Sequence, residues 1–288
     1  MAFRSDSKAG DEQITSKEIR EAKDVSEWFE KIETIPDPIN EVLESYSGLG
    51  SNEVIPHIEG VRARAFHEWP YPCIGQLRFL ELNLAKHPYY PEILSRLGKG
   101  QTLLDAGCCF GQDLRKLVFD GAPSSSTLYG LDIIPAFFRL GYELFCDEQK
   151  FDATFISADL IKSAQKIPAL DAKIDIIGAF SLLHLFRLAE QKTMACRLVE
   201  FTKPIAGSTI VGRQLGAPIA GDYDGLTKDT KIYIHNMESF QQLWDDVGAA
   251  TDSRWAINGF LQPVETKLSS LSWAMPGMSW LYFRVTRQ

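Results

Sequence analysis

The sequence predicts an α/β fold in which a mostly parallel sheet, with helices on both faces, follows a helical N-terminal segment. Three observations carry this expectation. From Gln101 onward, short apolar runs (TLLDAG, STLYGLD, ATFISAD, IDIIGAF and STIVGRQ) alternate with amphipathic stretches, the pattern of parallel strands joined by crossover helices. The stretches Gln112 to Asp120, Pro135 to Cys146 and Leu188 to Lys203 each suit one crossing. Before residue 101 the texture is helical instead, with expected helices over 39–47, 52–66 and 73–86 punctuated by Pro70 and Pro72. The chain therefore divides, as expected from sequence, into a helical segment over 1–100 and a sheet-centred domain over 101–288.

The first dozen residues are polar. Thr15 to Glu18 has capping-box spacing, and Ile19, Ala22, Val25, Phe29 and Ile32 then recur at three- and four-residue intervals up to the break at Pro36-Asp37-Pro38, which predicts one apolar helical face. After Arg213 comes a Gly-rich stretch, GAPIAGDYDG, followed by an expected helix from Glu238 to Val247. Two further strand-like runs close the chain, SRWAINGFL and SWLYFRVTR. No internal repeat interrupts this order.

A length of 288 residues fits one sheet domain with an added segment. With 45% hydrophobic and 24% charged residues, the composition is that of a folded globular protein. A net charge of -8 argues against nucleic acid and against anionic membranes as partners, since both attract a basic face. It points to a small-molecule partner. The five cysteines are odd in number and lack the paired spacing of zinc sites or disulfide frameworks, so reduced thiols are expected. No apolar run is long enough for a membrane span, and the polar start MAFRSDSKAGDEQ is unlike a signal-peptide core. A cytoplasmic location is the resulting expectation.

The run LLDAGCCFG places Asp105, Gly107 and Gly111 between the first strand and the following helix, where open α/β sheets bind ligands. Glycine there lets a backbone approach a bulky ligand, although an ordinary strand-to-helix turn would use it equally. LYGLD ends the second strand on Asp132, followed by Ile133. A carboxylate at this position can accept both ribose hydroxyls, or cap the helix that starts near Pro135. FISADL puts Asp159 and Leu160 at the end of the third strand, where a carboxylate can accept from an adenine amino group. A nicotinamide site uses the first two features but does not need the third. Three carboxylates at successive strand ends favour S-adenosyl-L-methionine.

With these motifs the chain resembles the class I S-adenosylmethionine-dependent methyltransferases from Gln101 to the C-terminus. The resemblance implies a Rossmann-like seven-stranded sheet in which SWLYFRVT is an antiparallel seventh strand between the fifth and sixth. It also implies that Asp105 through Gly111 hold the methionine part of the cofactor, Asp132 the ribose, and Asp159 with Leu160 the adenine. Cys109 departs from the family pattern, standing where the middle glycine of the loop is usual. Cys108 and Cys109 are read as loop fillers, as no neighbouring His or Lys suggests an activated thiol.

YPCIGQLRFLEL, LLDAGCCFGQDLRKL, FSLLHLF and IVGRQLG further resemble fungal methyltransferases of meroterpenoid and polyketide clusters. That likeness implies a hydrophobic small-molecule acceptor, esterified at a carboxyl group, and a possible homodimer. Methyl transfer from a sulfonium requires no metal, and an already ionised carboxylate requires no base, whereas a phenol would profit from one.

His184, after the fourth strand, is a candidate base or hydrogen-bond donor, or a packed core histidine. Arg213, with Gln214, ends the fifth strand and could orient a carboxylate through its planar fork, or form a surface pair. His235 is a further candidate that could equally sit in a loop before a helix. Trp69, Tyr71, Phe79, Tyr89 and Tyr90 could lid an apolar acceptor or pack the helical segment onto the sheet. The competing readings are a phenol O- or C-methyltransferase, an NAD(P)-dependent reductase, and a cofactor-binding module without catalysis.

Overall fold

The structure is a computed structural model and describes residues 28–29, 31–123, 125–162, 166–225, 230–265, 274–275 and 277–288. Its main sheet contains β1 (Leu103–Ala106), β2 (Leu128–Asp132), β3 (Thr154–Ser157), β4 (Ile176–Ala179) and β5 (Thr209–Gly216). A separate ribbon is formed by β6 (Gly221–Asp224) and β7 (Lys231–Ile234), and β8 (Trp255–Pro263) and β9 (Ser279–Arg287) complete the main sheet. The strand order is β3-β2-β1-β4-β5-β9-β8. β1 and β4 are buried at every position, as expected of central parallel strands covered on both faces. β1 through β5 run parallel, while β9 pairs antiparallel with β5 on one side and β8 on the other. The expected placement of SWLYFRVT between two strands is thus what the register shows.

The helices are α1 (Asp37–Glu41), α2 (Val54–Glu68), α3 (Pro72–Gly75), α4 (Tyr90–Leu97), α5 (Gln112–Phe119), α6 (Pro135–Phe145), α7 (Leu188–Phe201) and α8 (Met237–Ala250). α1 runs into a π-helical turn, Val42–Tyr46. One sheet face packs on α7 and α8 through Leu198, Phe240 and Trp244, and the other packs on α4 and α5 through Leu97, Leu114 and Leu117. A further apolar cluster joins the N-terminal segment to α6 and to Phe110 of the β1–α5 loop. The N-terminal segment therefore shares its core with the sheet domain. No described helix is long and apolar enough to cross a membrane.

Three expectations change. The helix expected over 73–86 is broken into α3 and a 3-10 turn at Arg78–Glu81, flanked by Leu77 (φ 59°) and Leu82 (φ 49°) in the left-handed region. Tertiary structure competes there for the backbone: the Leu84 N–H donates to Asp113 Oδ1 at 3.0 Å, across to α5. The Gly-rich stretch after Arg213 contains β6, paired with β7 from Gly221↔Ile234 to Asp224↔Lys231. The apolar face read from Ile19 to Ile32 is not helical at Phe29 and Ile32, although Ile32 is buried. Its start, with the Thr15–Glu18 box, lies outside the described residues. α4, which sequence patterning did not single out, starts at Tyr90-Pro91, with proline in the first turn where its missing N–H costs nothing.

One buried ion pair ties these parts together. Arg115 on α5 meets Asp147 through two parallel bonds, Nε to Oδ2 at 2.8 Å and Nη2 to Oδ1 at 3.0 Å, both side chains being fully inaccessible. Its Nη1 donates to the Phe110 carbonyl at 2.7 Å, and Tyr46 Oη donates to Asp147 at 2.9 Å. Phe151, Phe145 and Tyr142 surround the guanidinium at 4.3 to 5.1 Å. Removing one partner of a buried pair strands the other charge, so Asp147→Ala should cost about 3–5 kcal/mol. Tyr46→Phe should cost about 1 kcal/mol. Denaturant midpoints would measure both; an Asp147→Ala protein as stable as the parent would contradict this role.

Candidate functional site

Parallel register brings the C-terminal ends of β1 to β5 to one edge, and the predicted site residues lie along it. Asp105 is opposite Gly130 of β2 and Gly178 of β4, and Asp132 is opposite Ser157 of β3. The loop after β1 is tied to β2 by the Gly107 and Cys108 N–H groups, which donate to the Leu131 carbonyl at 2.7 and 3.0 Å. The Cys109 N–H donates to Asp132 Oδ2 at 2.9 Å, and Ile134 N–H to Asp132 Oδ1 at 3.0 Å. Each Asp132 oxygen retains a lone-pair direction for a ligand hydroxyl. Asp159 accepts from the Ile161 and Lys162 amides through Oδ1, and its neighbour Ala158 donates to the Asp132 carbonyl at 3.2 Å.

Electrostatically this edge calls for a cation. Asp105 is buried and accepts no hydrogen bond from any described residue. Burial, and then the charges of Asp113 and Asp132, push its carboxyl well above the ordinary range. Burial raises Asp113 to about 6, against the opposing pull of the Leu84 N–H and Arg213. Burial also raises Asp132, which the Ile134 and Cys109 amides pull back. A ligand ammonium beside Asp105 would relieve this repulsion. Ile133 is 42% exposed next to Asp132, whereas Leu160 is buried beside Asp159; an exposed apolar side chain next to a carboxylate suits a flat heterocycle. The residues present therefore fit an adenosyl amino-acid cofactor.

The loop conformation explains part of its composition. Gly107 (φ 78°) and Gly111 (φ 67°) occupy the left-handed region, and a Cβ on Gly107 would stand 3.2 Å from Leu182. Cys109 takes φ 51° without being glycine, a conformation that costs an L-residue roughly 1–2 kcal/mol. Burial holds both Cys108 and Cys109 well above the ordinary thiol range. They are protonated thiols, in keeping with their reading as fillers.

Further along the edge, His184 sits in the 3-10 turn Leu183–Leu185 after β4 and is buried. Its Nδ1 accepts from the Leu215 N–H at 3.4 Å, so a neutral ring carries its proton on Nε2. Burial, reinforced by Arg213 and Arg78, lowers its pKa to about 3. The imidazole is thus uncharged at neutral pH, a weak base whose Nδ1 is already engaged. Arg213 is not part of a surface pair: it is 4% exposed, its guanidinium lies 3.8 Å over the Trp280 ring, and its Nη2 donates to Glu81 at 3.3 Å. Its Nε is buried without a partner.

Gln214 is fully buried, with both amide atoms unpartnered. His235 is buried too, its Nδ1 2.9 Å from Ser239 Oγ at the start of α8, and belongs to the helix cap rather than to this cluster. Among the aromatics, Phe79 packs edge-on against Phe110 at 4.8 Å and Tyr90 donates to Asp120 at 2.7 Å, so these two are scaffold. Arg78, Glu81, Asp113 and Trp280 were not expected. All four stood inside runs already singled out, Arg78 and Glu81 in YPCIGQLRFLEL, Asp113 in LLDAGCCFGQDLRKL and Trp280 in SWLYFRVTR, but nothing local in those runs marked them as site residues.

Comparison with known proteins places the chain among methyltransferases. Residues 28–80 match the family model for a meroterpenoid methyltransferase N-terminal domain. O-methyltransferase phiE of a fungal species is 39% identical over 240 residues, covering 82% of this chain and 79% of its own length. O-methyltransferase atr3 of Stereocaulon alpinum is 36% identical over 265 residues, covering 90% of this chain and 75% of its own. Methyltransferase trt5 of Aspergillus terreus is 38% identical over 240 residues, covering 83% and 86%.

The left-handed backbone at residue 109 gives a direct test. Cys109→Gly removes the steric cost and should stay within about 1 kcal/mol of the parent, while the β-branched Cys109→Val should lose about 2 kcal/mol or more. Equal denaturant midpoints for the two variants would show that the loop does not require this conformation.

Proposed function

This chain belongs to the fungal S-adenosylmethionine-dependent methyltransferases, and we propose that it is an O-methyltransferase esterifying a carboxyl group of a hydrophobic meroterpenoid or polyketide intermediate. The observation that carries the carboxyl assignment is Arg213: a buried guanidinium, stacked on Trp280 with Nε unpartnered, beside a histidine that is a weak base. The free Nε edge of such a guanidinium can receive a carboxylate oxygen, and a weakly basic His184 does not favour deprotonation of a phenol.

S-adenosyl-L-methionine supplies an electrophilic methyl group, and its sulfur keeps the C–S bonding pair as the acceptor oxygen forms the new bond. On the protein side, Asp105 would offer its unpartnered carboxylate to the methionine ammonium, and the loop through Gly111 would allow close backbone approach. Asp132 would accept from the ribose hydroxyls. Ile133 and Leu160 would flank the adenine, and Asp159 would accept from its amino group.

Arg213 orients the acceptor carboxylate, and Nε2–H of His184 donates to the oxygen that does not react. A carboxylic acid with a pKa of roughly 4 is already ionised at neutral pH, so the protein's contribution is positioning and exclusion of water. A phenol, with a pKa of about 10, would need a base.

Incubation with S-adenosyl-L-methionine and a panel of hydrophobic acids should yield alkali-labile methyl esters; products confined to phenol ethers or C-methylated compounds would reject the carboxyl assignment. Turnover should show no imidazole inflection between about pH 6 and pH 9, given the unshifted histidine value near 6.5. An inflection in that interval, lost in His184→Gln, would instead make His184 the base. Arg213→Lys keeps the charge but loses the planar fork, and kcat/KM should fall about tenfold to a hundredfold.

A further inference from the structure

Arg213 does not act alone. Arg78, at the start of the 3-10 turn, places its guanidinium 5.6 Å over the same Trp280 ring. Glu81, at the end of that turn, bridges the two cations: Oε1 lies 3.2 Å from Arg78 Nη2 and Oε2 lies 3.3 Å from Arg213 Nη2. Glu265 is the second carboxylate of the group and accepts from Trp280 Nε1 at 3.3 Å. Two guanidinia are thus balanced by two carboxylates.

The same molecule shows what a completed arginine fork looks like. Arg115 uses Nε and Nη2 together on Asp147, at 2.8 and 3.0 Å. Arg213 presents the same edge, yet only Nη2 is engaged, at 3.3 Å, and Nε is buried with no partner. A well-formed guanidinium–carboxylate bond measures about 2.7–2.9 Å. The fork of Arg213 is half used, and by a side chain that is 26% exposed, against 5% for Arg213 itself. Glu81 also borders a surface hollow of about 240 Å³ lined in addition by Lys86 and by the paired Lys116 and Asp120. A carboxylate leaving the arginines has room on that side, with the Lys86 ammonium at its border.

We infer that Arg78 and Arg213 form a two-arginine clamp for the acceptor's carboxylate, and that Glu81 is its internal placeholder, displaced when the acid binds. The inference rests on the carboxyl-methyltransferase reading. Exchange of one carboxylate for another preserves the charge balance around Trp280, whereas a neutral acceptor cannot replace Glu81 without leaving both cations short of a counter-charge. The methyl ester product is neutral as well. Glu81 therefore regains the clamp after transfer, which favours release of the ester over rebinding.

The test uses the full chain loaded with S-adenosylhomocysteine, titrated by calorimetry with 2-naphthoic acid and with 2-naphthamide as the neutral twin. The parent should bind the acid about tenfold more tightly than the amide. Glu81→Gln should tighten acid binding about tenfold and leave the amide unchanged, since it removes a competing carboxylate. Arg78→Gln should weaken the acid about tenfold, with Arg78→Lys recovering part of the loss. A merely structural Glu81 would weaken both ligands when replaced. No acid preference in the parent, or a Glu81→Gln protein whose acid affinity is unchanged or weaker, would overturn the clamp. Product chemistry separates the two levels: alkali-labile esters with a failed Glu81→Gln result leave the reaction standing and remove the clamp. Alkali-stable products alone remove the reaction, and the clamp as an acceptor site with it.

Discussion

The buried Arg115–Asp147 pair is the constraint on which the rest of the architecture depends. A fully inaccessible guanidinium is tolerable only when its donors are used and its charge is matched, and here the partners come from four parts of the chain: α5, the Phe110 carbonyl of the cofactor-side loop, Asp147 after α6, and Tyr46 through Asp147. The loop that approaches the ligand is consequently anchored from behind by the same interaction that docks the N-terminal segment. Three aromatic rings within about 5 Å exclude water from the pair and supply favourable quadrupoles.

On the open side of that loop the electrostatics reverse. Asp105 and Asp132 at the strand ends are crowded by Asp113 in the first turn of α5, and burial lifts all three carboxyl groups. Such an arrangement is costly without a cation, and a bound ammonium group would offset it. The backbone bonds from Cys109 and Ile134 keep Asp132 oriented despite the repulsion. The neighbouring cluster holds Arg78 and Arg213 stacked against Trp280, with Glu81 and Glu265 as counter-charges. A buried His184 lies near them, its Nδ1 accepting from the Leu215 N–H.

Much of the fold was legible because its signals are local. Short apolar runs bounded by turn residues marked all seven strands of the main sheet, and Pro135 and Gly111 marked helix starts. The strand-end positions of Asp105, Asp132 and Asp159 followed from counting along those runs. The β6–β7 ribbon escaped notice because β6 is short and its sequence, GDYD, carries no apolar alternation. The stretch over 73–86 read as a helix because its composition favours one; its backbone instead serves tertiary partners, among them Asp113.

What the sequence by itself determined is the α/β order, the carboxylates at the strand ends, and the kinship with fungal methyltransferases. Only the tertiary structure decided that His184 is a buried, uncharged ring with Nδ1 engaged, that Arg213 is buried rather than on the surface, and that Arg78 and Glu81 join it. The reason is physical. Strand periodicity is encoded by near neighbours, whereas the protonation and partners of a side chain depend on burial and on charges from distant segments. Trp280 and Arg213 lie on strands far apart in sequence, and Glu81 belongs to a turn that exists because a helix is broken there.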